Sequence, residues 1–95
     1  MQNDYLFKSN KELLIDVAEK FRFARREAGY SQEYISEKTG ISRQTIMRFE
    51  AGENISLINF IALLREVNEL GKFSDLLNRI RTQRSLAIKF KEQSK

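Results

Sequence analysis

Apolar residues recur at spacings of three and four along most of the chain, and glycines interrupt the pattern. The first periodic segment, about Lys11 to Ala28, carries Leu14, Val17, Phe21, Ala24 and Ala28 at spacings that share one helical face, and this face is expected to enter a core. Gly29 ends the segment, and Ser31 is placed to cap a short helix from Gln32 to Thr39. Gly40 and Ile41 make a tight turn, Ser42 caps a third helix from Arg43 to about Ala51, and Gly52 stops it. Ser56 opens a fourth segment with Leu57, Phe60, Ile61, Leu64 and Val67 on one face, and Gly71 is expected to close it. Phe73, Leu76, Leu77 and Ile80 begin a fifth. Beyond Arg81 two patterns compete: Leu86, Ile88 and Phe90 alternate like a strand, while Ile80, Ala87 and Phe90 continue a helix. With no proline anywhere, the helical reading is preferred and the predicted fold is all-α with five helices.

Composition narrows the class. Ninety-five residues, 41% hydrophobic and 32% charged, suit one folded domain over residues 1–95. It divides into an N-terminal arm (1–10), a helical core (11–81) holding a two-helix unit at 32–51, and a C-terminal extension (82–95). The absence of Cys and His removes structural zinc, thiolate chemistry, disulfides and an imidazole base, and no metal or other cofactor is expected. Glu33 and Glu37 share a helix face, yet without metal-ligand partners or a phosphate-binding glycine loop they read as solubilising charge, so no enzymatic activity is expected. No apolar run approaches the roughly 20 residues of a membrane span, and the N-terminus lacks a secretory pattern, which predicts a cytoplasmic protein without membrane contact.

Net charge is +4, and its distribution says more than its size. Residues 72–95 hold seven Lys/Arg against two acids, a surplus of +5, so residues 1–71 sum to −1. The extension is a basic tail.

The stretch SQEYISEKTGISRQTIMRFEAGE, Ser31 to Glu53, carries the functional signal. It resembles the helix-turn-helix of the Cro/repressor (Xre-like) regulators, with a Ser-Gln-Glu start, a small residue at the inter-helix contact, a turn glycine and a Glu-x-Gly ending. The resemblance extends over about Phe21 to Leu77. It implies a Cro/repressor-like DNA-binding domain that docks its second short helix in the major groove of double-stranded DNA. Ser36 stands where the helices approach closely and a small residue is needed; Gly40 stands where the chain turns sharply. Ile35, Ile41, Ile46 and Phe49 are expected inside. Thr39 departs from the aliphatic residue usual in the family but nearly conserves its volume.

Burying that set leaves Arg43, Gln44, Met47 and Arg48 outward, with Thr45 near the helix start; these five are the candidate base readers. Arg matches guanine O6/N7 and Gln matches adenine N6/N7 with paired hydrogen bonds, whereas Thr45 and Met47 suit thymine methyls or phosphates. Taken singly, such residues are ordinary solvated side chains; the constellation is what points to DNA. The resemblance implies that Gln32 clamps a phosphate, with Ser42 and Asn54 as further phosphate contacts, and that Arg25 and Glu50 form a structural ion pair. It also implies a homodimer on a two-fold symmetric operator; the fifth helix and tail, about Phe73 to Phe90, are the candidate interface, through Phe73, Leu76, Leu77 and Ile80.

Two departures stand out. The loop after the third helix, Gly52 to Ile55, has no Lys or Arg where the family often has one, and Ser31 to Ser56 holds three basic residues against four acids. The tail, through Arg79, Arg81, Arg84, Lys89 and Lys91, is expected to supply phosphate contacts or to bind a second partner. The other departure is apolar surface at Phe23 and Ile15, which Tyr5, Leu6 and Phe7 or a partner subunit would cover. The reading that competes with a plain repressor is an antitoxin-like module whose tail neutralises a partner protein while the domain binds its own promoter.

Overall fold

The computed structural model describes residues 4–80, with side-chain environments from Leu6 onward; the predicted tail at 82–95 and the ambiguous pattern after Arg81 lie outside the described residues. A 3-10 turn, Asp4–Phe7, precedes α1 (Asn10–Glu27), α2 (Gln32–Thr39), α3 (Arg43–Glu50) and α4 (Leu57–Glu66), and a fifth helix, α5, occupies residues 70–80. No strand occurs among the described residues. The described residues are all-α, as their periodicity predicts.

One device starts each of the first four helices. Ser9, Ser31, Ser42 and Ser56 stand in extended backbone, and each Oγ accepts a hydrogen bond from the N–H three residues on. Each cap satisfies an N–H that the helix itself leaves unpaired and contributes about 1 kcal/mol. At α1 the motif is reciprocal: Glu12 Oε1 accepts from the Ser9 N–H at 2.7 Å. This capping box starts α1 ahead of Lys11, because the first turn is fixed by polar capping and not by apolar spacing.

The stops are equally local, with one correction. After α3, the Gly52 N–H donates to Phe49 O at 2.9 Å and the Glu53 N–H to Arg48 O at 3.0 Å, with Gly52 at φ +95°. After α4 the same pattern is made by Asn68, at φ +63°, with Glu69 N–H donating to Leu64 O at 2.9 Å. Gly71 is not the stop; it lies inside α5. An asparagine takes the left-handed position at modest cost, so the left-handed stop falls at Asn68, three residues ahead of the glycine.

The core consists of Ala18 and Phe21 from α1, Ile35 from α2, Ile41 from the turn, Ile46 and Phe49 from α3, and Leu63 and Val67 around the end of α4. Ile35, Ile41, Ile46 and Phe49 are thus all inside, as expected. Four phenylalanines form a chain of rings across the helices: Phe21 to Phe49 at 5.6 Å, Phe49 to Phe60 at 5.8 Å, and Phe60 to Phe73 at 6.1 Å between centroids. The last contact is how α5 docks. Truncating Phe49, at the centre of this chain, would cost about 3–5 kcal/mol.

Two predicted faces are met in part. Along α1 the inward residues are Leu14, Ala18, Phe21, Ala24 and Arg25, while Val17 and Ala28 are exposed. The inward set contains an arginine, and an apolar pattern cannot register a buried charge. On α4, Leu57 is exposed and Leu63 is fully buried. LINFIALLRE is apolar around most of its circumference, with Asn59 and Glu66 sharing the polar side, so its spacing fixes a helix and leaves several apolar residues as candidates for the core.

Ile15 is exposed, as expected, and one side of it packs against Gly52: a Cβ built at that glycine would lie 2.9 Å from Ile15 Cγ1. Lys11 Nζ donates to Gly52 O at 2.6 Å. The first turns of α1 therefore hold the turn that ends α3. Phe23 remains 65% exposed, and Leu6 and Phe7 do not cover it, Phe7 itself being 88% exposed. Tyr5's side chain lies outside the described set. No helix among the described residues is long and apolar enough to cross a membrane.

Candidate nucleic-acid interface

α3 is short, eight residues, and its orientation is fixed from three directions. Ile46 and Phe49 bury one side, and Glu50 turns toward α1. At the N-terminus, Ser42 Oγ accepts from the Thr45 N–H at 3.1 Å and donates to Thr45 Oγ1 at 2.8 Å. The side that remains carries Arg43, Gln44, Met47 and Arg48, all exposed, with Thr45 half-buried beside its cap. Residues 43 and 47, and 44 and 48, are each one turn apart, so the four form a contiguous patch.

α2 crosses α3 tightly. Ser36 is half-buried at the crossing, and Gly40, at φ +78°, reverses the chain between the helices. Thr39 does more than conserve volume. Its Oγ1 donates to Ile35 O at 2.7 Å and accepts from the Ile41 N–H at 3.2 Å, so it satisfies backbone groups at the turn that an aliphatic residue would leave alone.

Arg25 and Glu50 join α1 to α3. Arg25 Nε and Nη2 donate to the two Glu50 oxygens at 2.6 and 2.8 Å, and Nη1 donates to Tyr30 O at 2.8 Å. Gln32 Nε2 donates to Glu50 Oε1 at 3.0 Å. Four residues from α1, its exit loop, α2 and α3 thus share one hydrogen-bonded cluster, with the two charged side chains almost fully buried. Fork-on-fork pairing of this kind fixes relative orientation as well as contributing energy. Gln32 is therefore tied internally by one amide hydrogen while its second remains for another acceptor.

Ser42 and Asn54 flank α3, which spans about 12 Å. Both are exposed, and Asn54 Oδ1 accepts from the Ile55 N–H at 3.0 Å. Behind α2, Tyr30 stacks on Tyr34 with centroids 4.5 Å apart, and Lys38 lies 5.5 Å from the Tyr34 ring. These contacts brace the loop before α2 and are separate in role from the Arg43 patch.

An open cleft lies between the end of α1, the start of α2 and the exposed side of α3, lined by Arg22, Arg26, Gln32, Glu33, Arg43 and Met47 among others. Arg22 and Arg26 line this cleft, and the motif alone does not single them out. A signal for them exists in the sequence: they stand four apart on α1, which places them on one face. Among the described residues no group of three or more acids gathers in a way suited to a metal ion.

The family is decided by a stretch that contains this whole arrangement: a family model described as helix-turn-helix matches residues 21–69. The chain belongs to that family. It is a helix-turn-helix protein of the Cro/repressor (Xre-like) type, and the match runs from Phe21 through α4, taking in the Arg25–Glu50 cluster as well as the two motif helices. No characterised protein and no solved structure gives a significant match. Family membership makes this helix-turn-helix protein a DNA-binding regulator.

Proposed function

We propose that the protein is a homodimeric, cytoplasmic transcription repressor that inserts α3 into the major groove of a two-fold symmetric operator. The observation that carries this reading is the patch of Arg43, Gln44, Met47 and Arg48 on a helix whose opposite side is held by Ile46, Phe49 and the Glu50 cluster. A rigidly held helix presents its donors in fixed register. In the groove, Arg43 and Arg48 suit guanine and Gln44 suits adenine, each good pair discriminating by about 1–3 kcal/mol. Thr45 and Met47 supply apolar contact for thymine methyls, and Gln32, Ser42 and Asn54 set register on phosphates.

Eight residues of helix read only a few base pairs, so specificity calls for a second copy. The face of α5 supports that assignment. Phe73 docks on Phe60, while Leu76, Leu77 and Ile80 stay between 48% and 52% exposed, an apolar strip on the helix after the matched domain. A second copy pairing the same strip across a two-fold axis would cover both at once.

The test is selection of bound sequences from random duplex DNA at stated salt, with wild type and the Arg43→Ala, Gln44→Ala double variant. A two-fold symmetric site that the variant fails to select is the expected result. No enriched site, with only weak and strongly salt-dependent binding, overturns it and favours the antitoxin-like reading, in which the α5 strip and the basic tail engage a partner protein.

A further inference from the structure

The helix-turn-helix segment is poorly equipped for a polyanion. Three basic residues meet four acids between Ser31 and Ser56, and the loop after α3, Gly52 to Ile55, has no Lys or Arg. The fold supplies what that segment lacks. It packs α1 against α3, so that Arg22 and Arg26 of α1, Gln32 of α2 and Arg43 of α3 line one open cleft.

The three arginines of α1's end have different fates. Arg25 is buried and committed to Glu50 and Tyr30. Arg22 and Arg26 are exposed, and among the described residues neither makes an ion pair. Once the Arg25–Glu50 pair cancels, the charges lining the cleft are Arg22, Arg26 and Arg43 against Glu33, a local surplus of positive charge beside a motif whose own sum is negative. Two guanidiniums one helical turn apart, in a cleft that opens beside the base-reading patch, match the charge and the hydrogen-bonding geometry of phosphate oxygens.

We infer that Arg22 and Arg26 form a phosphate clamp for the DNA strand that passes the N-terminal end of α3. The inference rests on the DNA-binding reading above and adds to it the source of its backbone affinity. Arg25 keeps α1 at the distance from α3 that lets the clamp reach, through Glu50, and takes no part in it. The clamp reads no base. It fixes how far the strand sits from α3, and so the depth at which Arg43 and Gln44 meet the groove.

The experiment compares full-length wild type, Arg22→Gln, Arg26→Gln, the double Gln variant and the Arg22→Lys, Arg26→Lys variant. Each is titrated on the duplex selected by the wild type and on a scrambled duplex of equal length, over a range of salt concentrations. Thermal unfolding checks that each variant is folded, and the single variants carry the test if the double does not fold. The double Gln variant is expected to weaken binding to both duplexes by the same factor. Its slope of log affinity against log salt should shrink by about 0.9 for each phosphate no longer neutralised. Each single variant shows part of that weakening, the Lys variant retains the slope, and the selected base preferences stay as they were. An unchanged slope overturns the clamp, as does a weakening confined to the selected duplex, which would make these arginines base readers. A wild type that binds neither duplex overturns the DNA-binding reading itself and the clamp with it.

Discussion

Arg25 of α1 and Glu50 of α3 meet side-on, Nε to Oε2 at 2.6 Å and Nη2 to Oε1 at 2.8 Å, across 25 positions of sequence. The pair closes the helix-turn-helix against α1 and aims α3 outward. Because both side chains are nearly excluded from water, each one's stability depends on the other's presence. Glu50→Ala or Arg25→Ala alone is expected to cost about 3–5 kcal/mol, by leaving a buried charge unmatched. Arg25→Met with Glu50→Leu should cost less than either. Urea unfolding of the four proteins measures this, and single variants within about 1 kcal/mol of wild type, the range of exposed ion pairs, would show that the pair contributes little.

The turn after α3 is fixed by a steric fit to α1. Gly52 sits at φ +95°, and a Cβ there would lie 2.9 Å from Ile15 Cγ1. Gly52→Ala is therefore expected to destabilise by at least the roughly 1–2 kcal/mol of the left-handed backbone, plus the steric clash. Ile15→Ala in the same chain relieves the clash and not the backbone strain. A double-mutant cycle by chemical denaturation should give a combined destabilisation smaller than the sum of the two; strict additivity would mean the two residues do not press on each other.

The α5 strip predicts an association state. Leu76→Glu with Ile80→Glu puts charge where two copies are proposed to meet and leaves the Phe60–Phe73 contact untouched. The expected outcome in sedimentation is a monomer in place of the wild-type dimer, with weaker binding to the symmetric site and a largely unchanged unfolding midpoint. A wild type that sediments as a monomer, or a variant that stays dimeric, removes this strip from the interface.

Removal of residues 82–95 tests the basic tail. That segment carries Arg84, Lys89, Lys91 and Lys95 against Glu92. If it touches phosphates, truncation lowers affinity and reduces the salt slope by about 0.9 per phosphate, without altering the selected sequence. Unchanged affinity and slope would assign the tail to something other than DNA.

The helical class, the serine starts and the two-helix unit are legible in the amino-acid order because they are set within a few residues. An Oγ reaching the N–H three positions on, or a glycine past the last turn, needs no distant partner. Ile35, Ile41, Ile46 and Phe49 are legible for the same reason, since the motif's spacing fixes which side each short helix must bury. Relations between elements belong to the folded molecule alone. Packing rotates α1 so that Arg25 and Ala18 face inward and Val17 does not, because a buried arginine is stable only against a partner that the chain supplies 25 residues later. It turns Leu63 and not Leu57 into the core, since apolar residues cover most of α4's circumference and its neighbours choose among them. It also makes Arg22, Arg26 and Arg43 line one cleft, a grouping of charges from separate helices that no local pattern encodes.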